Sequence, residues 1–133
     1  MLNINLIRNN KQIIIDDLKK RKKQDLINVL NKIIEIDKNN RLLKKELDEL
    51  RHKRNIYSLD ISKLIKQKKT IQADKEKIKI KKINCKIKEK NKEEIEQKKK
   101  LNKLMLLLPN ILHKTVPVGT DEKDNLEIRK FGK

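Results

Sequence analysis

Apolar residues step by four and three through Val29, Ile33, Ile36, Asn40, Leu43, Leu47, Leu50, Arg54, Tyr57, Ile61, Leu64, Lys68 and Ile71, and ten of these thirteen positions are apolar. A second run passes through Ile80, Ile83, Ile87, Lys90, Glu94, Gln97, Leu101, Leu104, Leu108 and Ile111, with seven of ten apolar. A repeat averaging about 3.5 residues marks a coiled-coil seam. The two runs mirror each other about Gln72, which pairs Leu64 with Ile80, Tyr57 with Ile87, Leu43 with Leu101 and Ile33 with Ile111. Mirrored seams in one chain predict an all-α fold: a long antiparallel two-helix coiled-coil hairpin with its turn near residue 72.

Outside the seams, residues 1–24 carry a separate apolar set, Leu2, Ile4, Leu6, Ile7, Ile13, Ile14, Ile15 and Leu18. Ile14 and Leu18 are one helical turn apart, so the pattern predicts a short helix over about 11–22, packed at the open end of the hairpin. Asp25 is suited to cap the next helix, because a carboxylate accepts an orphan backbone N–H of the first turn. The long helices are expected over about 26–69 and 75–108. Either Thr70 or Asp74 would cap the second, and Pro109 ends it by disfavouring helical geometry at Leu108. The helical unit then covers 1–115. Residues 116–133, VPVGTDEKDNLEIRKFGK, have no helical period, carry an acidic patch at Asp121, Glu122 and Asp124, and read as a linker.

Composition supports an elongated helical unit over a compact domain. The 133 residues include 42% charged and 35% hydrophobic residues, but one Tyr, one Phe and no Trp, and aromatic residues supply much of the buried area of globular cores. The single cysteine, Cys85, has no internal partner for a disulfide and reads as a bystander. No apolar run reaches 18 residues, and the start MLNINLIRNN lacks the layout of a secretory signal. The expectation is a soluble, cytoplasmic protein, with an organelle as the other compartment.

Charge narrows the partner. The net charge is +18, from 37 basic and 19 acidic residues, and such a surplus repels itself unless an anion neutralises it. Residues 63–92 hold thirteen lysines against Asp74, Glu76 and Glu89. The candidate RNA-binding residues are Lys63, Lys66, Lys68, Lys69, Lys75, Lys77, Lys79, Lys82 and Lys86. Pairs such as Lys75 with Lys79 and Lys82 with Lys86 repel at i,i+4 spacing, and phosphates relieve that repulsion with release of counterions. Lysine is a point charge suited to phosphate rather than base edges. Single-stranded RNA is read by aromatic stacking, and the only aromatic residue of the hairpin, Tyr57, falls in the seam. The expected target is therefore double-helical RNA, recognised by shape and backbone.

Several segments resemble the seryl-tRNA synthetases. MLNINLIRNN with LKKRK after it is similar to the family's opening, and Leu50 to Asn55, LRHKRN, to its ELRxxRN segment. The end is most specific: Leu108, Pro109 and Asn110, then His113, Val116 to Gly119 and Asp121 to Asn125 resemble the family's LPN…H…VPxGxDExDN passage from arm to catalytic domain. The resemblance implies an N-terminal coiled-coil arm that recognises the long variable arm of tRNA-Ser and positions it for serylation by a class II catalytic domain. It further implies ATP and magnesium used by that catalytic domain, and a homodimer. The chain departs from the family in a turn without Gly and in Lys90, Glu94 and Gln97 at seam positions. It stops at Lys133, before class II motifs, so the chain alone is not expected to activate serine, although the enzyme it resembles is an ATP-dependent ligase of protein biosynthesis.

The remaining chemistry is sparse. His52 reads as a surface residue and His113 as a residue that positions the linker, since neither has a nucleophile or carboxylate at motif spacing. With two glycines in all, no phosphate-cradling loop forms. No metal, cofactor or catalytic residue is assigned. The mirror puts Arg54 opposite Lys90, and an Arg54–Glu94 ion pair across the seam is expected to relieve the repulsion. The alternative reading is a prefoldin-like or other structural antiparallel coiled coil without RNA specificity. A third, a membrane-surface coiled coil, finds no apolar face beyond the seam in the lysine-rich half.

Overall fold

The computed structural model describes residues 2–119 and 122–132. Its helices are α1 (Ile4–Asn9), α2 (Lys11–Lys20), α3 (Leu26–Lys66) and α4 (Thr70–Leu107), with a 3-10 turn at Glu122–Asp124. No strand occurs among the described residues. The chain divides into two compact units, one of residues 1–35 with 101–133, the other of residues 36–100.

The first unit gathers the apolar residues of both termini. Leu2, Ile7, Ile14, Leu18, Leu30, Ile33, Met105 and Leu108 form its buried core, and Leu101, Leu104 and Ile111 pack against it. All of the separate N-terminal apolar set except Ile13, which is 49% exposed, thus belongs to this core or packs against it, and the set supplies one more helix than its pattern predicted. Asn3 caps α1 by accepting the Asn5 N–H at 2.9 Å, and Asn10, at φ −134°, breaks the chain before α2. Asp25 does not act as a side-chain cap: Asn28 N–H donates to its main-chain carbonyl at 3.3 Å.

A buried carboxylate fastens the chain beyond Pro109 to α2. Asp17 is 7% exposed, pairs with Arg21 at 3.0 Å and accepts the Leu112 N–H at 2.8 Å. Arg21 in turn donates to the Asn110 carbonyl. A charge this deep is tolerable only because both carboxylate oxygens are bonded. Further on, the Val116 N–H donates to the His113 carbonyl at 3.1 Å, and His113 Nδ1 lies 2.9 Å from Thr115 Oγ1, so this histidine serves a local turn. A side chain at Gly119 would collide with that of Asp124, which explains a glycine there. Asp121, part of the acidic patch, lies outside the described residues.

In the second unit, α3 and α4 residues pack antiparallel with the seam phase predicted for them. Along α4, Ala73, Glu76, Ile80, Ile83, Ile87, Lys90, Glu94 and Gln97 are protected in alternating steps of three and four, with Asn91 protected beside Lys90. The buried cluster is small: Leu43, Leu47 and Ile87, with Leu50 and Ile83 against them. Asn40 sits half-buried in the seam, and its amide nitrogen and oxygen find no partner.

The register differs from the mirror about Gln72. Residues 67–69 form the turn, α3 stops at Lys66 rather than 69, and α4 starts at Thr70 rather than 75. Neither Thr70 nor Asp74 caps α4; Thr70 is already helical and the Ala73 N–H bonds to the Lys69 carbonyl at 3.1 Å. Two cross-helix pairs stand symmetrically about Lys68 instead: Glu46 with Lys90, and Tyr57 with Lys79. Ile87 moves from opposite Tyr57 to the Leu47–Leu50 level, a shift of about one heptad along the seam; the 46/90 and 57/79 pairs are displaced by eight because each joins a seam residue to a neighbour of the seam. Sliding by a whole heptad returns seam residues to seam residues, so periodicity constrains phase and leaves register to the turn.

The shift also undoes the expected Arg54–Glu94 pair. Glu94 pairs with Lys98 at 2.7 Å, Lys90 with Glu46, and Arg54 donates to Asn55. Arg51 makes the cross-helix contact in that region, to Asn91 at 3.2 Å. Ile71, expected in the seam, is 75% exposed.

Candidate nucleic-acid interface

The turn is built without glycine. The Lys69 N–H reaches the Leu64 carbonyl and the Lys68 N–H the Ile65 carbonyl, both at 3.0 Å, while Lys68 takes φ 57°. This is the Schellman arrangement, in which the left-handed residue is ordinarily Gly. Lys22 repeats it at the end of α2, with φ 56° and the Lys23 N–H bonded to the Leu18 carbonyl at 2.9 Å. At the hairpin turn the consequence is that two adjacent lysines, Lys68 and Lys69, stand in solvent between the helix ends.

All nine lysines proposed from the sequence are exposed. Lys63 and Lys66 lie on the last turn of α3, Lys68 and Lys69 in the turn, and Lys75, Lys77, Lys79, Lys82 and Lys86 on α4. Three have carboxylate neighbours: Lys63 with Asp60 at 3.9 Å, Lys77 with Asp74 at 2.8 Å and Lys79 with Glu76 at 2.7 Å. The other six have no ion pair among the described residues. They are the sites where an added phosphate displaces no existing contact.

Lys79 differs from the rest. Its ammonium lies 5.6 Å from the centroid of the Tyr57 ring, and the hydrogen bond to Glu76, opposed by some desolvation, raises its pKa above the ordinary lysine value. These groups line a shallow groove with Asp60, Lys63, Leu64 and Gln67. Lys79 thus lies over one face of the half-buried Tyr57 ring. Glu76, half-buried at the seam, leaves one carboxylate oxygen without a partner. Sequence reading placed no weight on this triad, because Tyr57 and Lys79 meet only after the one-heptad shift.

Elsewhere the chain offers little chemistry. No cluster of three His, Cys, Asp or Glu suited to a metal occurs among the described residues, and no described helix is long and apolar enough to cross a membrane. His52 and Cys85 are exposed. The strand-based assembly of a prefoldin-type subunit has no support, since the turn joins helix directly to helix.

Residues 1–112 match the family model of the seryl-tRNA synthetase N-terminal domain. The chain belongs to that family. It is 39% identical over 133 residues to the serine–tRNA ligase of Pyrococcus horikoshii, covering all of this chain and 29% of that protein. It is 33% identical over 132 residues to the ligase of Carboxydothermus hydrogenoformans, covering 99% of this chain and 30% of that one. The crystal structure of the Pyrococcus horikoshii seryl-tRNA synthetase complexed with ATP superposes with a TM-score of 0.86 at 39% identity, over 99% of this chain and 29% of that chain. The chain thus spans less than a third of the length of these relatives, and what it shares with them is the N-terminal helical domain.

Proposed function

We propose that this chain is the tRNA-binding arm of a seryl-tRNA synthetase, recognising the long variable arm of tRNA-Ser by shape and phosphate contacts. The observation that carries the reading is the lysine-rich turn end of the helical pair, where six of the nine candidate lysines are exposed without a carboxylate partner. Lys66, Lys68, Lys69, Lys75, Lys82 and Lys86 are the primary contacts. Lys63, Lys77 and Lys79 join after exchanging a carboxylate for a phosphate. Residues 116–133 lead toward a class II catalytic domain, which would activate serine and act as a homodimer in the cytoplasm. ATP and magnesium would be used by that domain.

Filter binding of tRNA-Ser and of a tRNA with a short variable loop, each at two salt concentrations, tests this. Tighter binding of tRNA-Ser with a steep salt slope is expected. Equal affinity for both removes the claim of specificity, and no binding at low salt removes the RNA reading.

A further inference from the structure

The seam side of α4, marked by Ala73, Glu76, Ile80, Ile83 and Ile87, leaves an opposite face with its own pattern. At about 100° per residue, Ile78 lies roughly 200° around the helix from both Glu76 and Ile80. Ile71 and Cys85, seven residues to either side, share its face. Ile71 is 75% exposed, Ile78 is 59% exposed and Cys85 is exposed. Lys75, Lys82 and Lys86 border this strip on one flank, and Lys77, Lys81 and Lys88 on the other, all exposed, with the exposed carboxylate of Asp74 on that second flank bound to Lys77. Of these six only Lys77 has a carboxylate partner among the described residues.

Lysines alone would hold phosphates on any face, so they do not account for isoleucines standing in water between them. A narrow apolar strip with cationic margins on both sides complements a surface with an apolar floor and anionic edges. The minor groove of A-form RNA is wide and shallow, floored by riboses and bordered by the phosphates of two strands. The minor groove of B-form DNA, about 6 Å wide, does not admit a helix. We propose that the outer face of α4 from Ile71 to Cys85 seats in an RNA duplex minor groove, with Ile71 and Ile78 against riboses and the two lysine rows on opposite strands. This deepens the tRNA-arm reading and rests on it. In this arrangement the isoleucines choose the groove and the lysines supply the salt-dependent attraction.

The test uses a short RNA hairpin duplex, its DNA counterpart, and three proteins: the unaltered chain, Ile71→Ala with Ile78→Ala, and Lys75→Gln with Lys82→Gln. Alanine at exposed helical sites raises helix propensity, so the first variant keeps its fold, which circular dichroism verifies. The isoleucine variant should bind RNA about five- to thirty-fold more weakly at every salt concentration, with an unchanged slope and reduced preference over DNA. The lysine variant should instead flatten the slope by roughly 1.5 to 2. Ile95→Ala, 54% exposed among glutamates, should bind as the unaltered chain does. Unchanged RNA affinity in the isoleucine variant overturns the proposal and leaves the lysine reading standing. No RNA binding by the unaltered chain removes both. Loss of self-association, or of binding to anionic vesicles, in the isoleucine variant at unchanged RNA affinity overturns it in favour of a second copy or a lipid surface.

Discussion

Leu47→Ala probes how the lysine-bearing unit is held together. Leu47 is fully buried, and only Leu43 and Ile87 join it as buried members of that cluster, so one side chain carries a large share of the unit's apolar contact. Truncation removes three carbons, which at about 0.8 kcal/mol per buried methylene costs about 2.4 kcal/mol. A residual cavity of up to about 60 Å³ adds up to about 1.5 kcal/mol at 24 cal/mol per Å³, and a two-helix seam collapses readily, so a total of about 2.5–4 kcal/mol is expected. The assay is urea unfolding followed by helical circular dichroism, with hydrogen exchange to localise the loss. At an m-value of about 2 kcal/mol/M, the midpoint should fall by about 1.3–2 M. Exchange should accelerate in residues 36–100 more than at the core around Leu18 and Leu30. Leu42→Ala, at a 53% exposed neighbour, should stay within about 0.5 kcal/mol. If the two substitutions cost the same, Leu47 is not the centre of the seam and the packing described for this unit is wrong.

Lys68→Gly should raise stability by about 1 kcal/mol, because the left-handed conformation at φ 57° is unfavourable for a side chain with Cβ, and a thermal melt reads the gain. A decrease would show that Lys68 does not hold that conformation. The Glu46 hydrogen bond raises the Lys90 pKa above its ordinary 10.5, so the folded state binds this proton more tightly than the unfolded chain does. Its stabilisation is complete below pH 10.5 and is lost as pH rises through the raised value; the stability gap between the unaltered chain and Lys90→Met should therefore close in that alkaline window, and a pH-independent gap would contradict the pairing. Asp17→Ala strands the Leu112 N–H and the Arg21 guanidinium, with an expected cost of about 2–4 kcal/mol and faster hydrogen exchange at Leu112. Unaltered exchange there would mean that Asp17 does not fasten this segment.

The helix positions and their inward faces were legible because a 3.5-residue repeat is a local property, written wherever Leu and Ile recur through Val29 to Leu64 and Ile80 to Leu108. The lysine excess over 63–92 was equally plain, since charge counting requires no fold. Pro109 also ended α4 nearly where expected. Less visible was α1, where capping by Asn3 turns a six-residue stretch into a helix too short for its period to show.

What the amino-acid sequence determined by itself was the phase of each helix, the family and the concentration of positive charge. Register was decided only in three dimensions. A heptad pattern matches itself after a shift of seven, so periodicity does not separate the two alignments; the observed one places the turn at 67–69, where Lys68 adopts a left-handed conformation that nothing in KQKKTIQADKEK announces. That choice set the partners: Lys90 with Glu46 rather than facing Arg54, Ile87 beside Leu47 and Leu50, and Lys79 over Tyr57. It also took Ile71 out of the expected seam and set it on the open face of α4, between lysines, where the contact with RNA is proposed.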